Sequence, residues 1–409
     1  MTGKQKTLIL DSLFEGGRMF VGGTSIAYML SNGVSIESLG IIKIIQALVF
    51  ILGELPTGIL GDMYGRKFSL LASLILGALG FCVYFLSSSL LLFCVAEVLV
   101  ALSLCFWSGA YEAFSIDYLK IEKSDKDLNN FFHLNSTINK ISIIFFGFLG
   151  GLLGSKGYQI PYLASFLVYI LTIIYLLTSF KSYQENIKKE VKKRNFKFHF
   201  IQNFRVTFKE GILNPTLIEF FIFQVIIQAS IVPLLHFWQP YFLNLDSLVD
   251  SKSLGSIFSL YVISSALLSA LYVKLSNYSF YKKISFQILP FLLFSFSYYG
   301  LGFSNNLTFS IVLFCFCQSL LSVVRSVFSA KFNTLISSEN RAGILSSLSL
   351  FSRFGSITTL GLISFLASDS GGKLFKIQSL FKNCATIYSI SLVLLVFGVI
   401  IFKQKRVYA

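Results

Sequence analysis

Long runs of apolar residues, separated by short polar stretches, follow one another along nearly the whole chain. An α-helix needs about 20 predominantly apolar residues to cross a bilayer. The run 284–324 carries no charge and is too long for one span, so we expect a break at the polar stretch 300–306. The pattern therefore predicts about twelve spans, at residues 8–31, 37–63, 68–87, 90–119, 131–153, 158–180, 213–243, 254–276, 280–303, 307–336, 342–367 and 378–402.

Composition supports this prediction. Of the 409 residues, 55% are hydrophobic and only 13% are charged, and the mean hydropathy is +0.73. A water-soluble domain carries about 25% charged residues. The chain is therefore expected to be a polytopic, all-α integral membrane protein.

The net charge is +15, and the positions of the basic residues along the chain are more informative than the total. Lysine and arginine concentrate in alternate loops, which is the pattern of loops that stay in the cytoplasm. This pattern predicts that both termini are cytoplasmic. It also argues against nucleic acid as a partner, because the basic residues follow the topology of the spans.

A basic segment at residues 181–212 divides the predicted spans into six and six. We therefore expect an N-terminal bundle (1–180), a cytoplasmic linker (181–212) and a C-terminal bundle (213–409). The segment interleaves lysines with phenylalanines, which also fits a surface helix bound to anionic lipid or to a regulatory partner. An interdomain linker that fixes the orientation is the simpler interpretation.

A short charged turn joins the second and third predicted spans, within the sequence GELPTGILGDMYGRKFSLL. Its glycines permit a sharp turn and its charges stay at the water interface. The spacing Gly-x-x-x-Asp-x-x-Gly-Arg-Lys resembles the loop 2–3 signature of the major facilitator superfamily, although Met63 stands where members often have a basic residue. The stretches 108–119 and 333–355 resemble further parts of that family. The signature comprises Gly58, Asp62, Gly65, Arg66 and Lys67.

The resemblance implies two six-helix bundles, alternating access and a binding site near the middle of the membrane between them. It also implies a cytoplasmic latch in which Arg66 bridges to Asp117 and Asp62 faces the eleventh span. Proton-coupled drug antiporters of the family often have an arginine early in the fourth span. Glu97 occupies the corresponding place here, and Arg18 is a candidate for the missing positive charge.

Ionisable residues inside predicted spans are the strongest functional signal, because each is costly if it faces lipid. Asp11, Glu15 and Arg18 lie on one face of the first span. These charges could carry protons for coupled transport, or they could form a permanent salt-bridge network between helices. Asp11 and Asp117, near the helix ends, fit the structural network better. The candidates for proton coupling are Glu15, Glu54 and Glu112, with Arg18 as their counter-charge and Lys140 nearby.

Other polar and aromatic residues in the spans are candidates for contact with a substrate. Gln224 and Gln228 share a helix face, and Arg325 and Arg353 require water or anionic partners. Pairing with carbonyl groups or with the other half explains the arginines equally well. Aromatic rings suit an amphipathic ligand, and the aromatic candidates are Trp107 and Tyr111.

The sequence contains no phosphate-binding loop, metal cluster or catalytic constellation. We therefore expect a transporter rather than an enzyme, without cofactor or metal, in the plasma (inner) membrane of a bacterium. The predicted function is proton-coupled export of an amphipathic drug, metabolite or peptide-like compound by a monomer. The alternatives are a proton-coupled nutrient uptake symporter and a non-transporting membrane receptor or scaffold of the same fold.

Overall fold

The computed structural model describes residues 1–122, 128–181, 183, 217–276, 284–334, 341–366 and 373–407. The predicted linker lies almost entirely outside these residues. The described chain is helical, and its elements are α1 (Gly3–Gly17), a 3₁₀ helix (Arg18–Val21), α2 (Ser25–Ser31), α3 (Ile36–Tyr64), α4 (Arg66–Leu86), α5 (Leu90–Ile121), α6 (Leu128–Gly154), α7 (Ile160–Ser179), α8 (Ile218–His236), α9 (Trp238–Leu245), α10 (Ser251–Ser276), α11 (Ile284–Phe303), α12 (Leu307–Thr334), α13 (Arg341–Leu366) and α14 (Lys373–Val407).

Each predicted span overlaps a helix or a pair of consecutive helices. Within the described ranges, seven helices are long and apolar enough to cross a membrane, or eight if the bent pair α8 and α9 counts as one span. The other predicted spans coincide with α1 and α2, α11, α13 and α14. The predicted all-α membrane fold is confirmed.

The chain divides into two compact units. The first comprises Met1–Phe204 together with Val249–Ser259, and the second comprises Arg205–Leu248 and Leu260–Ala409. In the first unit α5 packs against α3 and α4, while α1 packs against α6 and α7. In the second unit α8 packs against α13 and α14, and α11 packs against α12 and α14.

The first predicted span of each half is interrupted. In the first unit, glycines at 16, 17, 22 and 23 surround the 3₁₀ helix between α1 and α2. In the second unit, α8 and α9 meet at an angle of 43°. Pro233 lies inside α8 and cannot donate a hydrogen bond to Ala229 one turn earlier. The freed Ala229 carbonyl instead accepts a hydrogen bond of 2.9 Å from the Thr359 hydroxyl of α13.

A buried tyrosine follows each interruption and satisfies carbonyl groups at the end of another helix. The Tyr28 hydroxyl of α2 lies 3.1 Å from the Tyr84 carbonyl and 2.9 Å from the Ser87 carbonyl, at the end of α4. The Tyr241 hydroxyl of α9 lies 3.1 Å from the carbonyls of Leu301 and Ser304, at the end of α11. Both units therefore repeat this tyrosine–carbonyl contact at corresponding places, as expected of a chain built from two similar halves.

Glycines bring the start of α10 into close contact with α6 in the first unit. Asp250 caps α10, since its carboxylate accepts hydrogen bonds from the backbone and hydroxyl of Ser253, and these bonds lower the pKa of Asp250. One turn later, a side chain on Gly255 would come within 2.5 Å of the Gly151 Cα atom. The Ser251 hydroxyl donates to the Gly151 carbonyl at 3.1 Å. Such contacts require small residues on both helices.

We predict that Gly151→Ala destabilises the protein, because its methyl group would lie 2.6 Å from the Gly255 Cα atom. The expected loss is about 1–3 kcal/mol, the usual cost of overpacking. Thermal unfolding in detergent would measure it. The matched control is Gly361→Ala, where the new carbon meets no atom within 4 Å apart from its chain neighbours and the nearby backbone of its own helix. An equal effect of the two substitutions would contradict the tight α6–α10 contact.

A buried ion pair connects α3, α4 and α5. Lys43 Nζ lies 2.8 Å from Glu97 Oε1, and the side chains are only 11% and 4% exposed. The Tyr84 hydroxyl donates to the other carboxylate oxygen, and the Tyr162 ring stacks on Tyr84. The cation beside Glu97 is therefore Lys43 of α3. Arg18 pairs with Glu15 instead of Glu97, and its part in replacing the missing arginine stays a prediction.

We predict that Lys43→Met and Glu97→Gln each lower the free energy of unfolding by about 3–5 kcal/mol, because each leaves an unmatched polar partner in the interior. The double variant should lose much less than the sum, since no isolated charge remains. Thermal unfolding of all three variants tests this, with Lys156→Met at an exposed position as the control. Strict additivity would show that the two side chains do not stabilise each other.

Candidate functional site

A cavity of about 630 Å³ opens within the first unit between α1, α5 and α6. Four of the residues predicted from the sequence line it, namely Glu15, Glu112, Trp107 and Tyr111. Lys140 of α6 joins them. The remaining lining residues are Asp11, Ser108, Phe132, Asn135, Ser136, Asn139 and Ile143.

The wall of this cavity is aromatic on its α5 side. Trp107 stacks on Phe14 of α1 with a centroid separation of 3.7 Å and an interplanar angle of 5°. Tyr111, one turn further along α5, lies 5.4 Å from Trp107 and is almost parallel to it. Trp107 and Tyr111 are both at least 95% buried. The stack fixes both rings in place where they line the cavity, and aromatic lining suits an apolar ligand group.

Asp11 lies at the centre of a hydrogen-bond network on the cavity surface. Its Oδ1 accepts from Trp107 Nε1 at 3.1 Å, and its Oδ2 accepts from the side-chain amides of Asn135 and Asn139 at 2.6 Å each. The Tyr111 hydroxyl lies 3.3 Å from Asn135 Oδ1 and 3.0 Å from the Thr7 carbonyl. The network thereby joins α1, α5 and α6.

These neutral donors are the partners of Asp11 throughout the described residues, where no salt bridge reaches it. The sequence favoured a permanent salt-bridge network for Asp11. In the structure, Asp11 instead accepts hydrogen bonds from two side-chain amides and an indole. Asn135 and Asn139 were missed because neutral amides were not counted among the costly residues. Their spacing of four residues inside a predicted span was the available signal.

Glu15 and Arg18 form a close pair at the junction of α1 and the 3₁₀ helix. Glu15 Oε2 lies 2.6 Å from Arg18 Nη2 and 2.9 Å from Arg18 Nε. Their side chains are 22% and 28% exposed, respectively. Arg18 thus pairs with Glu15, and its role as counter-charge in proton coupling stays a prediction. Glu54 lies on α3, outside the lining of this cavity.

The charged turn between α3 and α4 carries the proposed latch residues. Gly65 has φ 103°, a conformation that favours glycine, and it ends α3 and begins α4. Arg66 Nη2 lies 2.6 Å from Asp62 Oδ1, and Arg66 Nη1 donates to the Gly109 carbonyl of α5 at 3.1 Å. Lys67 donates to a carbonyl at the end of α7 at 2.6 Å. The turn is thus tied to α5 and α7.

Two further latch residues lie beside these contacts. Gly58 approaches Gly109, since a side chain at Gly109 would lie 3.8 Å from the Gly58 Cα atom. Asp117 lies two turns further along α5 and is exposed. The bridge between Arg66 and Asp117 stays a prediction.

A second cavity, of about 320 Å³, lies within the second unit. Gln224 and Gln228 of α8 and Arg325 of α12 line it, together with Phe328 and Phe332. Gln228 also donates to the Ser356 hydroxyl of α13 at 3.3 Å. Arg353 lies on α13 outside this lining. The structure thus brings three of the four predicted polar candidates of this half together.

Comparison with known proteins identifies a matching family and several solved structures with a similar fold. A sequence model described as the Major Facilitator Superfamily matches residues 12–251. No curated protein sequence matches the chain. The solved structure of the nucleoside transporter NupG has a TM-score of 0.76 at 14% identity and covers 97% of this chain and 98% of its own.

Two further solved structures are also similar. Tetrameric PepTSo2 has a TM-score of 0.71 at 11% identity, with complete coverage of both chains. A POT family transporter in complex with 5-aminolevulinic acid has a TM-score of 0.71 at 13% identity and covers 97% of this chain and 96% of its own. At these identities the likeness establishes a shared fold.

We predict that the first cavity is accessible to water. Ser136→Cys should react readily with a charged, water-soluble thiol reagent, because residue 136 is exposed and lines the cavity. Ser115→Cys on α5 should react far more slowly, because that side chain is buried. Mass spectrometry of the labelled protein in detergent measures both, and unsubstituted protein reports labelling of the native cysteines. Equal rates would contradict an open cavity.

Proposed function

Because the chain belongs to the Major Facilitator Superfamily, we propose that it exports an amphipathic drug, metabolite or peptide-like compound in exchange for protons. Family membership makes it an integral membrane protein and a secondary transporter, and confirms that it is not an enzyme. Its partners accordingly include the lipid bilayer and a small-molecule or peptide substrate. The direction of transport and its coupling to protons are the parts that we propose.

The cavity of the first unit carries this proposal. It combines three carboxylates with an aromatic wall, so one site offers groups that exchange protons and a surface for an apolar ligand. An amphipathic compound needs a polar group and an apolar surface in its site. Proton coupling needs at least one ionisable group whose protonation changes during the transport cycle, and the carboxylates offer such groups.

Glu15 and Glu112 are the favoured proton carriers among the three predicted from the sequence, because both line the cavity. Arg18, held at 2.6 Å from Glu15, would serve as counter-charge when Glu15 is ionised. Glu54 remains a candidate from its place on α3. The latch at Asp62, Arg66 and Asp117 would close the cytoplasmic side during each cycle.

Proton-coupled uptake of a nutrient is the second candidate function. The likeness to a nucleoside transporter and to peptide transporters favours it. In either case we propose a monomer in the plasma membrane of a bacterium, with both termini in the cytoplasm. The alternating lysine and arginine content of the loops supports this orientation.

Proton movement in reconstituted vesicles tests the proposed function. The vesicles carry an imposed pH gradient, an enclosed pH-sensitive dye and either wild type, Glu15→Gln, Glu112→Gln or Glu54→Gln. Lipophilic cations, peptides and nucleosides are added in turn. We expect at least one compound to dissipate the gradient with wild type, and Glu15→Gln or Glu112→Gln to abolish the response because the carrier can no longer ionise.

The same assay separates the alternatives. If substrate and protons cross the membrane in the same direction, uptake by symport is favoured over export by exchange. Substrate flux that is independent of pH in wild type and all variants would overturn proton coupling. Empty vesicles measure passive leakage. Binding without flux for every compound would favour a receptor or scaffold over a transporter.

A further inference from the structure

Asp11 is a buried carboxylate that keeps one free acceptor direction at the cavity. The residue is 4% exposed. A carboxylate offers about four acceptor directions, and three are occupied by Trp107, Asn135 and Asn139. Two of these bonds reach Oδ2, so the remaining direction is on Oδ1.

The charged groups around Asp11 leave its charge unbalanced. Glu15 on the same helix is matched by Arg18, and Glu112 of α5 faces the same cavity as Lys140 of α6. Tyr111 of α5 and Tyr169 of α7 are the titratable hydroxyl groups that pack nearby. Three carboxylates thus face two cations. A buried negative charge without a matching cation is unfavourable, and either a proton or a positively charged ligand relieves this cost.

A second acceptor lies beside Asp11. Asn139 directs its amide nitrogen to Asp11 Oδ2, and its own oxygen is buried without a hydrogen-bond partner in the described residues. Trp107 and Tyr111 supply the aromatic surface of the same cavity. Aromatic rings also attract cations. The acceptors and the rings together fit a ligand that has a protonated amine attached to an aromatic or apolar group.

We propose that Asp11 binds the ammonium group of an amphipathic amine, and that this ligand and a proton compete for the same carboxylate. The inference deepens the proposed function, because it assigns a substrate class and an additional coupling residue to that cavity. Binding of the amine requires the ionised carboxylate, and protonation of Asp11 removes the negative charge that attracts the amine. When the site faces the two sides of the membrane alternately, this competition can exchange a substrate for a proton.

Fluorescence of Trp107 provides a direct test. The chain has two tryptophans, at 107 and 238, so Trp238→Phe leaves Trp107 as the single reporter in the cavity. We would titrate this variant in detergent with 2-phenylethylamine and with its uncharged counterpart 2-phenylethanol. We expect saturable binding of the amine and much weaker binding of the alcohol.

The pH dependence of amine affinity tests the competition in protein that keeps Asp11 unsubstituted. The amine stays protonated at neutral and acidic pH, so its affinity should fall as pH is lowered and the carboxylate takes up a proton. The limiting slope is about tenfold per pH unit for exchange of one proton. Affinity that does not change with pH would overturn the proposal, as would equal binding of the alcohol.

Variants then locate the effect. Asp11→Asn in the Trp238→Phe background should weaken amine binding at least about tenfold, equivalent to about 1.4 kcal/mol. Asp11→Glu keeps the charge and should retain pH-dependent binding. Asp246→Asn removes a carboxylate outside the cavity and should bind like the parent. Unchanged amine affinity in Asp11→Asn would overturn the assignment.

The two proposals can fail separately. If Trp107 reports Asp11-dependent amine binding but vesicles transport no compound, the transport proposal fails and the amine site stands. If vesicles exchange other compounds for protons with Asp11→Asn as well as with wild type, the Asp11 assignment fails while proton-coupled transport stands.

Discussion

The free-energy cost of a polar group that has no partner inside an apolar membrane protein is the constraint on which this structure depends. Glu97 is buried in a predicted span, and both of its oxygens are occupied, one by Lys43 and one by Tyr84. Pro233 leaves a carbonyl free, and a threonine from another helix satisfies it. The break between α8 and α9 therefore persists because a neighbouring helix supplies the hydrogen bond that the proline removes.

The same constraint shapes the cavity of the first unit. Asp11 is held by three neutral donors, so its position is fixed without cancelling its charge. Glu15, only one turn away, has its charge matched by Arg18. Two carboxylates on one helix face thus have different chemistry. The difference follows from their partners, because α5 and α6 present neutral donors to Asp11 whereas Arg18 of the 3₁₀ helix pairs with Glu15.

Helix positions were predictable because hydropathy and loop charge are local properties of the chain. The turn at Gly65 was also predictable, since its glycine and flanking charges are contiguous. Partners were harder to predict, because Lys43 and Glu97 are 54 residues apart and Asp11 is 124 and 128 residues from its two asparagines. Such pairs depend on how helices pack, which a single sequence does not encode as a local pattern. Lys43 itself lay inside a predicted span and deserved the same weight as Arg18.

The two units share a framework but differ in the chemistry of their cavities. Tyr28 and Tyr241 perform the same task at corresponding places. In the first unit the cavity contains three carboxylates and one lysine, whereas in the second it contains two glutamines and an arginine. Tyr28 and Tyr241 lie outside both cavity linings, so cavity side chains could change without removing the hydrogen bonds that these tyrosines make to the ends of α4 and α11.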